Sequence, residues 1–269
     1  INTPIVIIGY VIISFTTLRN INGYYIDSIS ELFNNCSKLN NLYFENTDVS
    51  QITKIENIFN LSYSLYNISF INIIISKATI IKGLFKNLHS LSNIIFKNIT
   101  SDSLFDISEM FYNSSFVSSF VSLDFSGLDT SKIKIMESMF QYYRGVFLNL
   151  SYLDTSSVTN MNNMFSDCNN LKSLDISNFN TENVETMDNM FNNCNNIQLL
   201  DLSSFHTPKL ISIKNMFKGC LSVKYINLGG FDGALITNMN DLFSGCNNLE
   251  SIDLSNIESD RIEKTEKMF

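Results

Sequence analysis

The chain has 269 residues, of which 45% are apolar, and this is enough to build a sizeable hydrophobic core. It carries 18 Lys and Arg against 26 Asp and Glu, so the formal net charge is −8. An acidic chain with few cations neutralises few phosphates, which argues against nucleic acid as a partner.

The first segment of the chain contains the apolar run Ile5–Phe15, which is too short to span a bilayer. Ile7 lies 26 residues before Phe33, a spacing that recurs further along. We interpret residues 1–23 as a degenerate repeat and expect no membrane insertion by this segment. A remnant of a longer membrane span is the alternative. Because the chain does not begin with Met, we expect it to be a fragment of a longer protein.

A Phe that follows an apolar residue recurs at intervals of 26, 26, 26, 29, 25, 26, 26, 26 and 26 residues. These residues are Phe33, Phe59, Phe85, Phe111, Phe140, Phe165, Phe191, Phe217, Phe243 and Phe269. A fixed period of roughly 20–50 residues is typical of solenoids, whose small units stack on one another. We therefore predict one repeat array over residues 1–269, with diverged repeats at 24–119 and regular ones at 120–269.

The segment that contains each Phe has the apolar spacing of a short helix. In one repeat Met161, Met164, Phe165 and Cys168 stand at positions i, i+3, i+4 and i+7. Two residues after most of the repeat Phe residues comes Asn, Asp or Gly, types that tolerate the left-handed conformation. The pattern predicts a helix of about two turns that ends at this residue.

The segment that follows has the pattern of a strand. Leu174 and Ile176 alternate with polar residues, as in a strand buried on one face. The predicted fold is α/β: a leucine-rich-repeat-like solenoid of about ten repeats, with a parallel sheet on the concave side and short helices on the convex side. We expect irregularities near residues 113–122 and 142–147, where the repeat length changes.

The pattern Leu-x-x-Leu-x-Leu resembles leucine-rich repeats, and the unit at 171–194 is similar to the 26-residue repeat of bacterial surface proteins and BspA-like leucine-rich repeats. This resemblance implies a non-enzymatic protein of the cell surface or exterior that binds a protein or glycan in adhesion. An intracellular interaction scaffold is the alternative. Phe179 stands where leucine-rich repeats carry a ladder Asn, so we expect an apolar stack there.

All five Cys (Cys36, Cys168, Cys194, Cys220 and Cys246) come three residues after a repeat Phe. Even spacing at one repeat position favours a column of small buried side chains. Disulfides between neighbouring coils and a metal site are the weaker alternatives, because metal ligands usually come as close pairs.

The outward strand positions are the candidate partner-binding residues on the concave face. They comprise four carboxylates and their polar or aromatic neighbours: Asp124, Asp175, Asp201, Asp253, Tyr225, Asn227, Ser173 and Ser251. A solvated polar face is the competing interpretation. Neither His89 nor His206 lies in a nucleophile motif, so we expect no catalytic, cofactor-binding or metal-binding residues and no enzyme activity.

Overall fold

The computed structural model describes residues 9–14, 28–117, 120–257 and 260–269, and this part of the chain forms a parallel β-solenoid. The described residues contain twelve strands, and each strand pairing between them is parallel. Their bounds are β1 Gly9–Ser14, β2 Leu39–Asp48, β3 Lys54–Glu56, β4 Asn67–Ile74, β5 Ile80–Lys82, β6 Asn93–Thr100, β7 Phe120–Ser122, β8 Phe147–Asn149, β9 Ser173–Asp175, β10 Leu199–Asp201, β11 Tyr225–Asn227 and β12 Ser251–Asp253.

Successive coils of the chain add one strand each to a sheet. The sheet orders are β1-β2-β4-β6, β3-β5, β7-β8-β9 and β10-β11-β12. Strands of 8 to 10 residues (β2, β4 and β6) characterise the earlier coils, and strands of three residues characterise the later ones. Most of the prediction for residues 1–23 falls outside the described residues, apart from β1.

The predicted short helices are wrong, because the described residues contain no helix. In the segment around Phe165, the backbone N–H groups of Asn163, Phe165 and Asp167 donate to carbonyls of the next coil at 2.9, 2.9 and 2.7 Å. The intervening residues bond three positions back, as Ser166 does to Asn163 at 3.0 Å. A helix would bond every N–H four positions back within its own segment.

Left-handed residues explain why this segment cannot be helical. The residue two positions before each of the ten repeat Phe residues has a positive φ, for example 56° at Asn163. The residue two positions after the Phe is also left-handed in the nine coils that contain it, as at Asp167 with φ of 61°. Two left-handed residues within five positions interrupt a right-handed helix. The i, i+3, i+4, i+7 apolar spacing is therefore satisfied by a turn-rich coil.

The repeat Phe rings form one continuous stack along the solenoid. All nine successive pairs have stacked rings, with centroids 5.0 to 6.2 Å apart. The rings from Phe33 to Phe243 are at most 3% exposed, whereas Phe269 in the last coil is 74% exposed. This confirms the stacked, coil-by-coil core that the 26-residue period predicts.

Two further aromatic stacks occupy other walls of the core. Phe44, Phe70, Phe96 and Phe125 stack in the earlier coils, with centroids 5.2 to 5.9 Å apart. The rings of Phe179, Phe205 and Phe231 stack in the later coils at 6.4 and 5.9 Å. The second stack confirms the apolar column that was expected at the repeat position of Phe179.

The changes in repeat length coincide with a break in the sheet. Strand β6 belongs to the first sheet and β7 to another, so the long-strand and short-strand coils meet here. In the following coil Tyr143 takes the core position that Cys168 occupies one repeat later. A Cβ at Gly145 would lie 2.3 Å from the Tyr143 hydroxyl, so the large ring requires glycine there.

Candidate binding surface

The outward face of strands β8 to β12 brings together most of the predicted site residues. Leu199 pairs with Tyr225 and Tyr225 with Ser251, while Asp201 pairs with Asn227 and Asn227 with Asp253. Within this sheet Asn227 separates the two carboxylates, which reduces the like-charge repulsion expected between neighbouring strands.

The neighbouring sheet β7-β8-β9 also has three strands and repeats part of the arrangement. Phe147 pairs with Ser173, and Asn149 pairs with Asp175. Asp175 and Asp201 belong to separate sheets, so strand pairing does not join them. The predicted acidic row is therefore two short rows, each of which contains an Asn.

Each strand-end carboxylate closes a turn. The Oδ1 atoms of Asp175, Asp201 and Asp253 accept the backbone N–H two residues on, at 3.2, 3.1 and 2.9 Å. Asn227 does the same for Gly229 at 2.9 Å. Asx turns of this kind are a structural reason for Asp and Asn at this position, independent of any partner.

Asp124 is displaced from this register. Ser122 pairs with Asn149, so Asp124 lies two residues beyond the position that Asp175 occupies in its own strand. Asp124 nevertheless accepts the Ser126 N–H at 2.8 Å. Hydrogen bonds from the Ser126 hydroxyl and backbone hold the pKa of Asp124 below its ordinary value. The backbone and hydroxyl of Ser255 lower the pKa of Asp253 likewise.

The sequence reasoning missed an exposed apolar residue on the outward face of β10. Leu199 is 62% exposed, whereas its strand neighbour Leu200 is 4% exposed. Ser173 and Ser251 stand at the equivalent repeat position and are exposed. A Leu at an outward strand position that carries Ser in β9 and β12 was the signal in the sequence that could have identified it.

Amide ladders are a second feature that the sequence reasoning missed. Asn87 Nδ2 donates to Asn60 Oδ1, and Asn113 Nδ2 donates to Asn87 Oδ1, both at 2.8 Å. Arg144 ends this ladder, because its Nε and Nη2 atoms donate to Asn113 Oδ1 at 3.1 and 3.0 Å. A second ladder joins Asn46, Asn72 and Asn98, an identical residue at 26-residue spacing.

Four of the five cysteines, from Cys168 to Cys246, form the column that their spacing predicts, whereas Ser62, Leu88, Ser114 and Tyr143 separate Cys36 from it. The Sγ atoms of Cys168, Cys194 and Cys220 each donate to a carbonyl of the preceding coil at 3.1 Å, and all three side chains are buried. Burial raises the pKa of the Cys194 and Cys220 thiols well above the ordinary value, and that of Cys246 to about 11. These thiols are therefore protonated packing groups at neutral pH.

A search of the described residues finds no cluster of three or more His, Cys, Asp or Glu side chains that could hold a metal ion. The same part of the chain contains no helix long and apolar enough to cross a membrane.

The fold and the outward face define a repeat solenoid, a class of protein whose long surfaces suit interaction with other molecules. The model of one family, described as Mycoplasma protein of unknown function, DUF285, matches residues 12–122, 105–225 and 193–269. The chain belongs to this family. Comparison with curated proteins and with solved structures gives no match. The matched family is not described as BspA-like, so that narrower resemblance stays a prediction.

Proposed function

We propose that this chain is a non-enzymatic recognition module that works in adhesion at the cell surface and binds a protein partner through the outward face of β8 to β12. The observation that carries this proposal is the 62% exposure of Leu199 on the outward face of β10, the edge strand of its sheet. Contact between this apolar side chain and water is unfavourable. A partner that covers Leu199 therefore gains the free energy of burying its apolar surface.

The surroundings of Leu199 support a protein as the partner on this face. Tyr225 is its in-register neighbour, and Asp201 lies on the same strand. An apolar and aromatic centre with a polar rim is the usual anatomy of a protein interface. The carboxylates at the rim favour a partner segment that carries Lys or Arg beside its apolar residues.

The turn hydrogen bonds also prepare the face for binding. Because Asp201 Oδ1 is held by the Ser203 N–H at 3.1 Å, the carboxylate is ordered before any partner arrives. A preordered group loses less conformational entropy on association than a mobile one.

A peptide-display selection tests the proposal directly. A library of random 12-residue peptides on phage is panned against the immobilised chain, and the enriched peptides are synthesised. We expect them to carry basic residues around an apolar centre. Leu199→Ser and Asp201→Arg should each weaken their binding about tenfold, as truncation of an interface residue commonly does.

The matched control is Leu221→Ser, which removes another exposed Leu (44%) at a position outside these strands. It should leave peptide affinity unchanged. Equal affinities for Leu199→Ser, Asp201→Arg and the parent chain, with folding intact, would refute this face as the binding site.

The location is tested separately, on cells that make the whole protein. Antibody raised against this chain should label intact cells as strongly as permeabilised ones. Labelling that requires permeabilisation would reject the surface location and favour the intracellular scaffold.

A further inference from the structure

A second surface, on the coils from Phe59 to Phe140, consists of an amide ladder between two lines of side chains that include half-buried and exposed rings. The ladder is Asn60, Asn87 and Asn113, three half-buried residues joined through their side chains. The rings come from residues one or two positions after a repeat Phe on one side, and four positions after it on the other.

On the first side of the ladder lie Lys86, Tyr112 and Tyr142. The Lys86 ammonium lies 4.4 Å from the centre of the Tyr112 ring, and the rings of Tyr112 and Tyr142 meet edge to face at 5.3 Å. Tyr142 is 41% exposed. These contacts fix the rings along the direction in which the coils stack.

On the other side lie Tyr63, His89 and Arg144. The rings of Tyr63 and His89 stack with centroids 5.6 Å apart and planes 23° from parallel. His89 Nε2 donates to the Asn113 carbonyl at 2.9 Å, which fixes the imidazole. Tyr63 is 44% exposed, so one face of this stacked pair is open to solvent.

The amide ladder between these two lines retains unused hydrogen-bond donors and acceptors. A side-chain amide has two N–H donors and two acceptor lone pairs. Within the ladder Asn87 uses one donor, to Asn60, and one acceptor site, from Asn113. Asn87 therefore keeps one donor and one acceptor site for a ligand, whereas Asn113 keeps one donor because Arg144 fills both acceptor sites of its Oδ1.

The charges on this surface are only partly paired, because the Arg144 guanidinium binds the neutral Asn113 amide oxygen. The Lys86 ammonium is paired with Glu109, whose carboxylate also binds Lys82 at 3.0 Å. Burial and nearby carboxylates raise the pKa of Tyr112, and the Asp167 carboxylate raises that of Tyr142, so both phenols stay neutral. The amide and ring groups on this surface therefore match a ligand that offers paired donors and acceptors, and no carboxylate or phosphate is needed to meet them.

We propose that this surface, formed by Tyr63, His89, Asn87, Asn113, Tyr112 and Tyr142, binds a neutral glycan chain that runs along the solenoid axis. Sugar hydroxyls both donate and accept hydrogen bonds, as the amide ladder requires, and the C–H faces of sugar rings pack on exposed aromatic rings. A proline-rich peptide would pack on the rings but would supply acceptors without matching donors. None of these residues lies on β8 to β12, so this proposal and the proposed protein-binding face can fail independently.

Native affinity electrophoresis through gels that contain dextran, mannan or glycogen tests the proposal, because the chain's net charge of −8 drives it through a native gel. We expect at least one of these neutral polysaccharides to retard the protein, and 0.5 M NaCl in a parallel pull-down to leave binding unchanged. Tyr63→Ala with His89→Ala should weaken retardation about tenfold.

Two further variants separate contact from folding. Asn87→Gly removes one amide but keeps the left-handed backbone (φ 60°), so it should fold and bind more weakly. Tyr152→Ala removes a 58% exposed ring elsewhere and should bind like the parent chain. If none of the neutral polysaccharides retards the protein, or if a gel that contains heparin is the only one that does, the proposal is overturned. Equal retardation of the Tyr63→Ala/His89→Ala variant and the parent chain would also overturn it.

Discussion

Phe111 and Phe140 lie face to face, with ring centroids 5.1 Å apart and planes 1° from parallel. They are 29 residues apart in the sequence, the longest interval in the array. The extra residues are therefore absorbed away from the ring stack, where β6 and β7 belong to different sheets. The aromatic stack is maintained even where the strand ladder is not.

Truncation of a central stacked ring should be strongly destabilising. Phe191 is fully buried and stacks on Phe165 and Phe217 at 5.6 and 5.8 Å. We expect Phe191→Ala to lower the free energy of unfolding by about 3–5 kcal/mol, as for other buried Phe residues. Urea unfolding measures this. Tyr152→Ala, at a 58% exposed position, is the control and should change the free energy by less than about 0.5 kcal/mol.

The left-handed residues before the repeat Phe can be tested by a pair of substitutions. Asn163 has φ of 56°, so Asn163→Ala should destabilise the chain by about 1 kcal/mol. Asn163→Gly should be neutral or stabilising, because glycine adopts this conformation freely. In a helix the order would be reversed, with Ala more stable than Gly. Thermal unfolding of both variants gives the order.

A column of buried Thr residues links neighbouring coils and should be sensitive to loss of its hydroxyls. Its members are Thr130, Thr155, Thr181 and Thr207. Thr155 Oγ1 donates to the Asn180 carbonyl at 2.9 Å and accepts the Asn180 N–H at 2.8 Å. Thr155→Val keeps the shape but leaves both backbone groups unpaired, at a cost of about 1–3 kcal/mol. Thr159→Val, at a half-buried position, should cost less. Equal costs in chemical denaturation would contradict a special role for the column.

The rate of thiol modification should distinguish the three fully buried cysteines from the two half-buried ones. At pH 8, iodoacetamide should modify the half-buried Cys36 and Cys246 before Cys168, Cys194 and Cys220. Mass spectrometry after timed quenching gives the order of modification. Rapid modification of Cys194 in the folded chain would show that the column is not packed as described.

The raised pKa of Cys246 predicts how the free energy of unfolding changes at alkaline pH. Burial raises the pKa of Cys246 from 9.0 to about 11, so the unfolded state loses its proton first as the pH rises. The contribution of the Cys246 thiol to the free energy of unfolding is fully present below pH 9 and is lost between about pH 9 and 11. Cys246→Ala should flatten the pH dependence of the free energy of unfolding in this window. An unchanged slope would show that Cys246 does not cause it.

The sequence predicts the period, the ring stack and the Cys column because each requires one residue type at one repeat position. It does not predict the backbone between Met161 and Cys168, because apolar spacing constrains which side chains face the core and leaves the φ angles open. The left-handed residue after the Phe was identified from Asp167 and its equivalents. Asn163 carries the same signal before the Phe, but Glu31, Glu109, Ser138 and Lys267 stand at the equivalent position and do not.

The candidate surface was predicted in part. The strand-end carboxylates lie on an outward face, as the alternation of Leu174 and Ile176 with polar residues predicts. Their hydrogen bonds to turn N–H groups, such as that of Asp175 to Ser177, were not predicted, because one strand pattern does not specify the turn that follows. The Asn60–Asn87–Asn113 ladder crosses coils and depends on contacts that repeat length alone does not give.

The stacking of one coil per repeat is tested most directly by distances between spin labels at equivalent exposed positions. Cysteines at Asn40, Lys172 and Glu250, in a background with Cys36→Ser and Cys246→Ser, carry the labels. Five coils separate Asn40 from Lys172 and eight separate it from Glu250. At about 4.8 Å per coil, pulsed electron resonance should give about 24 Å and about 38 Å. Distances that do not increase with the number of intervening coils would contradict the solenoid.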